Sequence, residues 1–297
     1  MQQPPSPIAF LRYPITTGVT VLAILATVQF KSGVDLDLLM SNTGDCLREP
    51  WRLLVPALFH EGVIHLLFNL YWLWFFGTKI EDEFGHVATL VMMILLAVGS
   101  MSAELAIFRG GIGLSGVGYG LFGMLWVLSR TDPRFRDTVD HSVVELMFGW
   151  LLVCIVLTMA DVWHVGNVAH CAGCFLGALL GWTLGARGFG RRLRNGAIFA
   201  SVFLLFVAGG TIARPYVCLW SNEAGDEYAH RADSALTAGD LDRAIDLYEL
   251  AVAMNPNEDH WWNELAGAYK RAGREKEAND ANRRADDALA HRRSNSR

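Results

Sequence analysis

The chain has 297 residues, of which 52% are hydrophobic and 19% are charged, and its formal net charge is −5. This composition is typical of a membrane protein. The acidic balance, without a basic run interleaved with aromatic residues, argues against nucleic acid as a partner. The N-terminus lacks a basic flank, a short apolar run and a small-residue cleavage site in succession. We therefore expect the first apolar run to be a retained span, not a signal peptide.

Seven apolar runs in the first two thirds of the chain are long enough, or nearly so, to cross a hydrocarbon core of roughly 30 Å as helices. They cover residues 15–30, 63–76, 87–108, 114–128, 143–159, 168–184 and 197–212. The second and fourth runs are short and polar in places, as expected of helices that neighbours shield around a water-accessible cavity. The sequence thus predicts an all-α, multi-pass membrane helix bundle.

Arginines in two short loops predict the orientation, because such loops lie on the cytoplasmic side. The loops after the fourth and sixth runs contain Arg130, Arg134, Arg136, Arg187, Arg191, Arg192 and Arg194. With seven crossings, the N-terminus is expected in the cytoplasm and the C-terminal region outside it. If the seventh run does not cross, the C-terminal region is cytoplasmic. The lack of an organelle-type presequence favours a bacterial inner membrane.

The composition changes near residue 220, and small residues then recur with a period of 34. Ala232, Gly239, Ala244 and Ala251 are followed by Ala266, Gly273, Ala278 and Ala285. This period resembles two tetratricopeptide (TPR) repeats, of which about three are normally needed for a stable core. The module is therefore expected to be stabilised by contact with the membrane domain, a second copy or a protein partner. We predict a membrane domain at residues 1–215 and a TPR-like helical domain at residues 222–297.

Two side chains of catalytic type lie in separate apolar runs. Ser115 is at the start of the fourth run, in the sequence Gly-Leu-Ser-Gly, and His170 is in the sixth. An ionisable residue inside a membrane span is costly and marks a functional site. A serine hydroxyl is a weak nucleophile until an adjacent base takes its proton. The pair therefore predicts peptide hydrolysis by a serine nucleophile within the membrane.

Glycines on the same two runs would let their helices approach closely. They are Gly116, Gly120 and Gly123 on the fourth run and Gly173, Gly177, Gly181 and Gly185 on the sixth. We predict that these two spans pack together and bring Ser115 to His170. No acidic residue is placed to complete a triad, which predicts a Ser-His dyad. Asp161, at the outer end of the fifth span, is expected to cap or solvate that end.

The segment from Trp51 to Gly185 resembles the rhomboid family of intramembrane serine proteases. The resemblance rests on Trp51-Arg52, on His60, His65 and Asn69 at His-x4-His-x3-Asn spacing, on Gly113-x-Ser115-Gly116 followed by Tyr119, and on Asn167-x-Ala169-His170-x-x-Gly173. It implies a six-helix rhomboid-like core, here followed by a seventh transmembrane helix. It also implies an endopeptidase that cleaves transmembrane protein substrates in the lipid bilayer, without a metal or organic cofactor.

The oxyanion formed in acyl transfer needs hydrogen-bond donors. His65 and Asn69 are spaced i, i+4 and share a helix face, and the resemblance implies that they line the oxyanion hole. The backbone N–H of Ser115 is a third candidate, supported by the glycines of its motif. The resemblance also implies that Tyr119 packs against the His170 ring. Core packing for His65 and Tyr119, and helix–helix bonding for Asn69, remain open alternatives.

Two other motifs are similar to metal or redox sites, but neither is expected to act as one. His60 and His65 flank a sequence similar to a zinc-protease motif, but five residues separate them by roughly 140° on a helix, so zinc is not expected. Cys171 and Cys174 form a Cys-x-x-Cys pair inside a span, where thiols usually serve packing.

Two further cysteines are expected on the same outer side of the membrane. Cys46 lies in the first long loop, and Cys218 lies just beyond the seventh span. Because the outer face is oxidising, we hypothesise a disulfide between them. Both thiols remaining free is the alternative.

Two alternative functions keep a membrane architecture. The chain could be a catalytically inactive rhomboid-like scaffold that binds or escorts client proteins through its core and TPR-like module. It could also be a secondary transporter, but no internal symmetry of the transporter type is visible. The presence of both dyad residues and both oxyanion candidates favours the protease.

Overall fold

The computed structural model describes residues 7–32, 46, 49–108, 110–163, 165–217 and 221–295. Across these ranges the regular secondary structure is helical. The helices of the first two thirds are α1 (Pro7–Arg12), α2 (Pro14–Lys31), α3 (Val63–Phe84), α4 (His86–Ile107), α5 (Ser115–Thr131), α6 (His141–Met159), α7 (Asn167–Leu184) and α8 (Phe189–Gly210). Short 3-10 turns, Pro50–Leu53 and Val55–Leu58, precede α3, and Pro133–Phe135 follows α5.

Six helices, α2, α3, α4, α6, α7 and α8, are long and apolar enough to cross a membrane, judged by length and composition. Helix α5 has only 17 residues, and most of its side chains are buried by its neighbours. A short helix enclosed by longer ones is what its glycine-rich sequence favours, because small side chains let the surrounding helices come close. The prediction of an all-helical, multi-pass membrane bundle is thus confirmed for the described part of the chain.

The expectation that the second span is short is wrong, since α3 has 22 residues. Its final turns continue past the apolar run and include Glu81, whose side chain is buried. The Glu81 carboxylate accepts the backbone N–H groups of Ile15 and Thr16 at 2.9 Å each. These belong to the first turn of α2, where N–H groups lack partners within the helix. Glu81 thus caps α2, and these hydrogen bonds explain how a buried carboxylate is tolerated in α3.

Helices α5 and α7 pack so closely that their backbones nearly touch. A Cβ atom added at Gly173 would lie 2.1 Å from the carbonyl oxygen of Gly116. At Gly177 it would lie 1.8 Å from the carbonyl oxygen of Gly120. Only glycine fits at such distances. The predicted contact between the fourth and sixth spans is therefore confirmed, and it places the start of α5 beside the first turn of α7.

Beyond the bundle lie α9 (Arg214–Val217), α10 (Ser221–Thr237), α11 (Leu241–Met254), α12 (Asp259–Arg271) and α13 (Glu275–Asn295). Helices α10 and α11 form one hairpin, and α12 and α13 form another. Gly239 and Gly273 end the first helix of each pair with positive φ angles of 81° and 73°, a conformation that favours glycine. The hairpins share their own hydrophobic cluster, which includes Tyr248, Trp261 and Leu265. A domain division near residues 215–222 remains a prediction.

A buried ion pair connects this C-terminal module to the bundle. Arg214 and Glu227 are 2% and 1% exposed at their side chains, and their nearest charged atoms lie 2.9 Å apart. The Arg214 guanidinium also donates to the carbonyl oxygens of Leu105 and Phe108, at 2.7 and 3.2 Å. Those carbonyls end α4, where they have no partner within the helix. The first helix of the module is therefore anchored at the end of α4.

Candidate active site

Helix α5 begins at Ser115, after a turn that only glycine fits well. Gly113 has a φ of 110°, in the region that side chains disfavour. A Cβ atom there would also lie 3.0 Å from the His65 ring. The Gly113 N–H donates to the carbonyl oxygen of Pro56 at 3.2 Å. This turn places the Ser115 hydroxyl at the end of the bundle where α3 and α7 also begin.

His170 lies in the first turn of α7 and is 4% exposed. Its Nε2 atom is 2.7 Å from the Ser115 Oγ atom, so the hydroxyl is in position to donate to the imidazole. The Tyr119 ring stacks on the His170 ring with centroids 4.8 Å apart. The Tyr119 hydroxyl donates to the carbonyl oxygen of Met147 at 2.9 Å. The predicted serine and histidine are therefore brought together, with Tyr119 holding one face of the ring.

The two predicted oxyanion side chains also face this region. Both His65 and Asn69 line the cavity that contains Ser115 and His170. One amide hydrogen of Asn69 is used on the carbonyl oxygen of His65, at 2.9 Å, which leaves its second amide hydrogen available. In the described part of the chain, the His65 Nδ1 atom is buried without a hydrogen-bond partner. Both residues thus retain unused donor capacity.

His60 has a different position, on the loop before α3. Its Nε2 atom accepts the backbone N–H of Leu114 at 3.3 Å, and its ring meets His65 edge to face with centroids 4.9 Å apart. Burial lowers the pKa of His60 to about 4. A neutral imidazole can accept a hydrogen bond, so His60 braces the backbone just before Ser115.

A cavity of about 570 Å³ surrounds the pair. Its lining includes Ser115, His170, His65, Asn69, Glu104 and Trp163. Most of the lining surface is apolar. A site of this kind can accept an extended peptide segment together with water, and it has the form expected of an active site.

Glu104 is the site residue that the sequence analysis missed. It lies in α4 and is 4% exposed, and its carboxylate accepts the backbone N–H of Ala169 at 2.8 Å. No acidic residue was expected from the sequence to complete a triad, and Glu104 was not considered. The missed signal was a single carboxylate in a long apolar run, which is costly unless it has partners. It does not complete a triad, because among the described residues the His170 Nδ1 atom has no hydrogen-bond partner.

The other residues considered from the sequence are Asp161, the two cysteines of α7 and Cys218. Asp161 is exposed beyond the end of α6, with a φ of 56°. Cys174 is buried, as expected of a packing residue, whereas Cys171 is exposed. Within the ranges that the structure describes, no group of three or more His, Cys, Asp or Glu side chains is arranged to hold a metal ion. The hypothesised disulfide partner Cys218 lies outside the described residues.

Comparisons with known proteins match the membrane part of the chain. Residues 47–187 match the family model described as Rhomboid domain. The chain is 28% identical over 176 residues to the rhomboid protease GlpG of Yersinia pseudotuberculosis serotype I (strain IP32953), covering 56% of this chain and 61% of that protein. It is 31% identical over 134 residues to the rhomboid protease GlpG of Photorhabdus laumondii subsp. laumondii, covering 44% of this chain and 46% of that protein.

A third relative, the rhomboid protease GlpG of Yersinia pestis (strain Pestoides F), is 28% identical over 176 residues and is matched over 61% of its length. The chain thus spans about half to three fifths of the curated relatives. The Ser115 and His170 segments lie inside the matched region, and α10 to α13 lie beyond it. Residues 47–187 are therefore similar to the rhomboid family, and this matched region lies within the helix bundle.

Proposed function

We propose that the chain is an intramembrane serine endopeptidase, with Ser115 as nucleophile and His170 as general base. The observation that carries this proposal is the distance of 2.7 Å between Ser115 Oγ and His170 Nε2, inside a cavity of a membrane helix bundle. That distance suits direct proton transfer from the hydroxyl to the imidazole. The rhomboid protease name of the matched relatives points to the same activity.

The reaction proceeds in two stages. His170 takes the Ser115 proton while Oγ attacks the carbonyl carbon of the scissile peptide bond. The tetrahedral intermediate then collapses, the C–N bond breaks, and His170 returns the proton to the leaving amine. In the second stage, His170 takes a proton from water, which attacks the acyl-enzyme ester. The ester bond breaks and Ser115 regains its proton.

The negative oxygen of the tetrahedral intermediate is held by the side chains of His65 and Asn69 and by the backbone N–H of Ser115. The N–H of Ser115 is at the first position of α5, so it has no partner within that helix. A preorganised donor of this kind contributes roughly 3 to 4 kcal/mol to stabilisation of the transition state. Substrates are transmembrane proteins, because the dyad is reached from within a bundle of membrane helices. Lipid surrounds the bundle.

Labelling with a fluorophosphonate tests this proposal directly. We expect the folded wild type in detergent micelles to gain one phosphonate, located by mass spectrometry in the peptide that contains Ser115. Ser115→Ala should gain none and should not cleave a transmembrane reporter. Ser129→Ala is the control, since Ser129 lies on the same helix but its hydroxyl donates to the carbonyl oxygen of Trp126. A folded wild type that is neither labelled nor active would instead favour the inactive scaffold.

We further propose seven membrane crossings, in which α5 joins the six longer helices as the shielded fourth span. Every dyad and oxyanion residue lies at one end of the bundle, and the arginine-rich loops after α5 and α7 lie at the other end. By the positive-inside rule, the active site faces outward and the N-terminus lies in the cytoplasm. We assign the protein to a bacterial inner membrane.

The C-terminal module then lies on the same side as the active site. Arg214 contacts the end of α4 next to the loop that leads to Ser115, which supports this placement. Two hairpins with turn glycines 34 residues apart are consistent with a TPR-like module. Such a module would bind a protein partner or present the exposed part of a substrate.

Reporter fusions test the orientation. Alkaline phosphatase needs disulfides that form only outside the cytoplasm. We therefore expect an active fusion at the C-terminal end of the chain and an inactive one after Arg136, in the loop that follows α5. An inactive C-terminal fusion with normal expression would place the module in the cytoplasm and overturn this topology.

A further inference from the structure

Glu104 takes no part in the proton transfers and bond changes of the proposed reaction. We propose that Glu104 is a positioning residue that holds the first turn of α7 and thereby sets the distance between His170 and Ser115. This inference rests on the proposed function, since it concerns the geometry of the same dyad. It assigns a role to a carboxylate that lies on a different helix from both dyad residues.

The contacts at the start of α7 show what the carboxylate does. Its Oε2 atom accepts the N–H of Ala169 at 2.8 Å. Ala169 is the third residue of α7, where the N–H group is usually satisfied by the side chain of the cap residue. The cap residue here is Gly166, which has no side chain. A carboxylate from α4 therefore replaces the missing cap.

Helix α7 needs such a restraint because few side chains interlock between it and α5. Glycines meet backbone atoms along this interface, and small residues permit close approach without side chains that interlock along the axis. A slip of α7 along α5 would carry His170 away from Ser115. Misplacement by about 1 Å can lower the rate of a reaction by about 100-fold. The hydrogen bond between Glu104 and Ala169, one residue before His170, opposes this slip.

The charge of Glu104 also suits the reaction. The N-terminal end of a helix has a partial positive charge, which disfavours a cation in the first turn. His170 lies in that turn and becomes an imidazolium each time it takes a proton. A carboxylate at the same end offsets the helix charge. It does so through the start of α7 and not through the His170 Nδ1 atom, for which the described part of the chain provides no partner.

Glu81 provides a matched control. It is likewise a buried carboxylate in a membrane helix, and it accepts the N–H groups of the second and third residues of α2. It lies near the far end of α3 from the dyad. Glu81→Ala should therefore reproduce the loss of stability that follows from removing a buried cap, without disturbing His170.

The experiment compares Glu104→Ala, Glu104→Gln and Glu81→Ala in proteoliposomes. The readouts are kcat and KM for a transmembrane reporter and the rate of fluorophosphonate labelling, each per folded molecule. We expect Glu104→Ala to lower kcat and the labelling rate by about 10- to 100-fold with little change in KM. Glu104→Gln retains one acceptor oxygen and should recover part of that loss. Glu81→Ala should keep the wild-type kcat per folded molecule although its melting temperature falls.

Wild-type kcat per folded molecule in Glu104→Ala would overturn the positioning role while leaving the protease intact. The same would follow if Glu81→Ala lost as much kcat as Glu104→Ala, because the effect would then be one of stability alone. An inactive and unlabelled wild type would overturn the protease and this role together. If Glu104→Ala does not fold, the labelling rate of Glu104→Gln decides, since a partial loss is expected and a wild-type rate would overturn the positioning role.

Discussion

Replacing His170 with alanine is expected to lower kcat for reporter cleavage by at least about 1,000-fold, near the upper range for general acid–base catalysis. His170 Nε2 lies 2.7 Å from Ser115 Oγ, and without it the hydroxyl keeps its proton and remains a poor nucleophile. The same imidazole must also take a proton from the hydrolytic water, so both stages of the reaction become slower. KM should change little, because the group moves a proton and does not anchor the substrate. Initial rates in proteoliposomes, corrected for folded protein, measure both constants.

His141→Ala is the control for the loss of an imidazole. The His141 side chain is largely exposed at the start of α6, at the end of the bundle opposite the cavity. Its variant should keep wild-type kinetics. If His170→Ala retained more than about a tenth of the wild-type kcat, a different group would have to be the base, and the assigned dyad would be wrong.

Replacing Gly177 with alanine is expected to destabilise the bundle by about 3 kcal/mol or more, beyond the usual effect of a single substitution. The added Cβ atom would lie 1.8 Å from the carbonyl oxygen of Gly120. Backbone atoms form the obstacle, so no side chain can rotate away, and α5 and α7 must move apart. The molecules that still fold should be less active, because the same interface holds Ser115 near His170. Thermal unfolding followed by loss of fluorophosphonate labelling measures both effects.

Gly149→Ala is the matched control for Gly177→Ala. Gly149 is also a glycine in a membrane helix, but no atom lies within 4 Å of a Cβ atom added there. Alanine is intrinsically better than glycine in a helix interior by about 1 kcal/mol, so this variant should be neutral or slightly stabilising. Equal melting temperatures for the two variants would show that the close approach of α5 and α7 does not limit stability.

Much of the site was predictable because its residues follow local rules. Apolar runs longer than a bilayer core predict spans, and glycines repeated every fourth residue predict a close helix contact. Together they predicted that Ser115 and His170 would meet, and the structure brings them within hydrogen-bond distance. The length of α3 was underestimated because the charged last turns of the helix lie beyond the apolar run. Hydropathy detects lipid-compatible residues and does not detect where a helix stops.

The sequence by itself determined the helical class, the membrane core, the candidate dyad and a C-terminal region with a period of 34 residues. These follow from composition, periodicity and spacing, which are properties of neighbours in the chain. Only the tertiary structure decided what the buried charges do. Glu81, Glu104 and Arg214 bond to backbone groups 65 or more positions away. A lone charge in an apolar segment predicts that a partner exists, but the partner is chosen by the packing of helices that are distant in sequence.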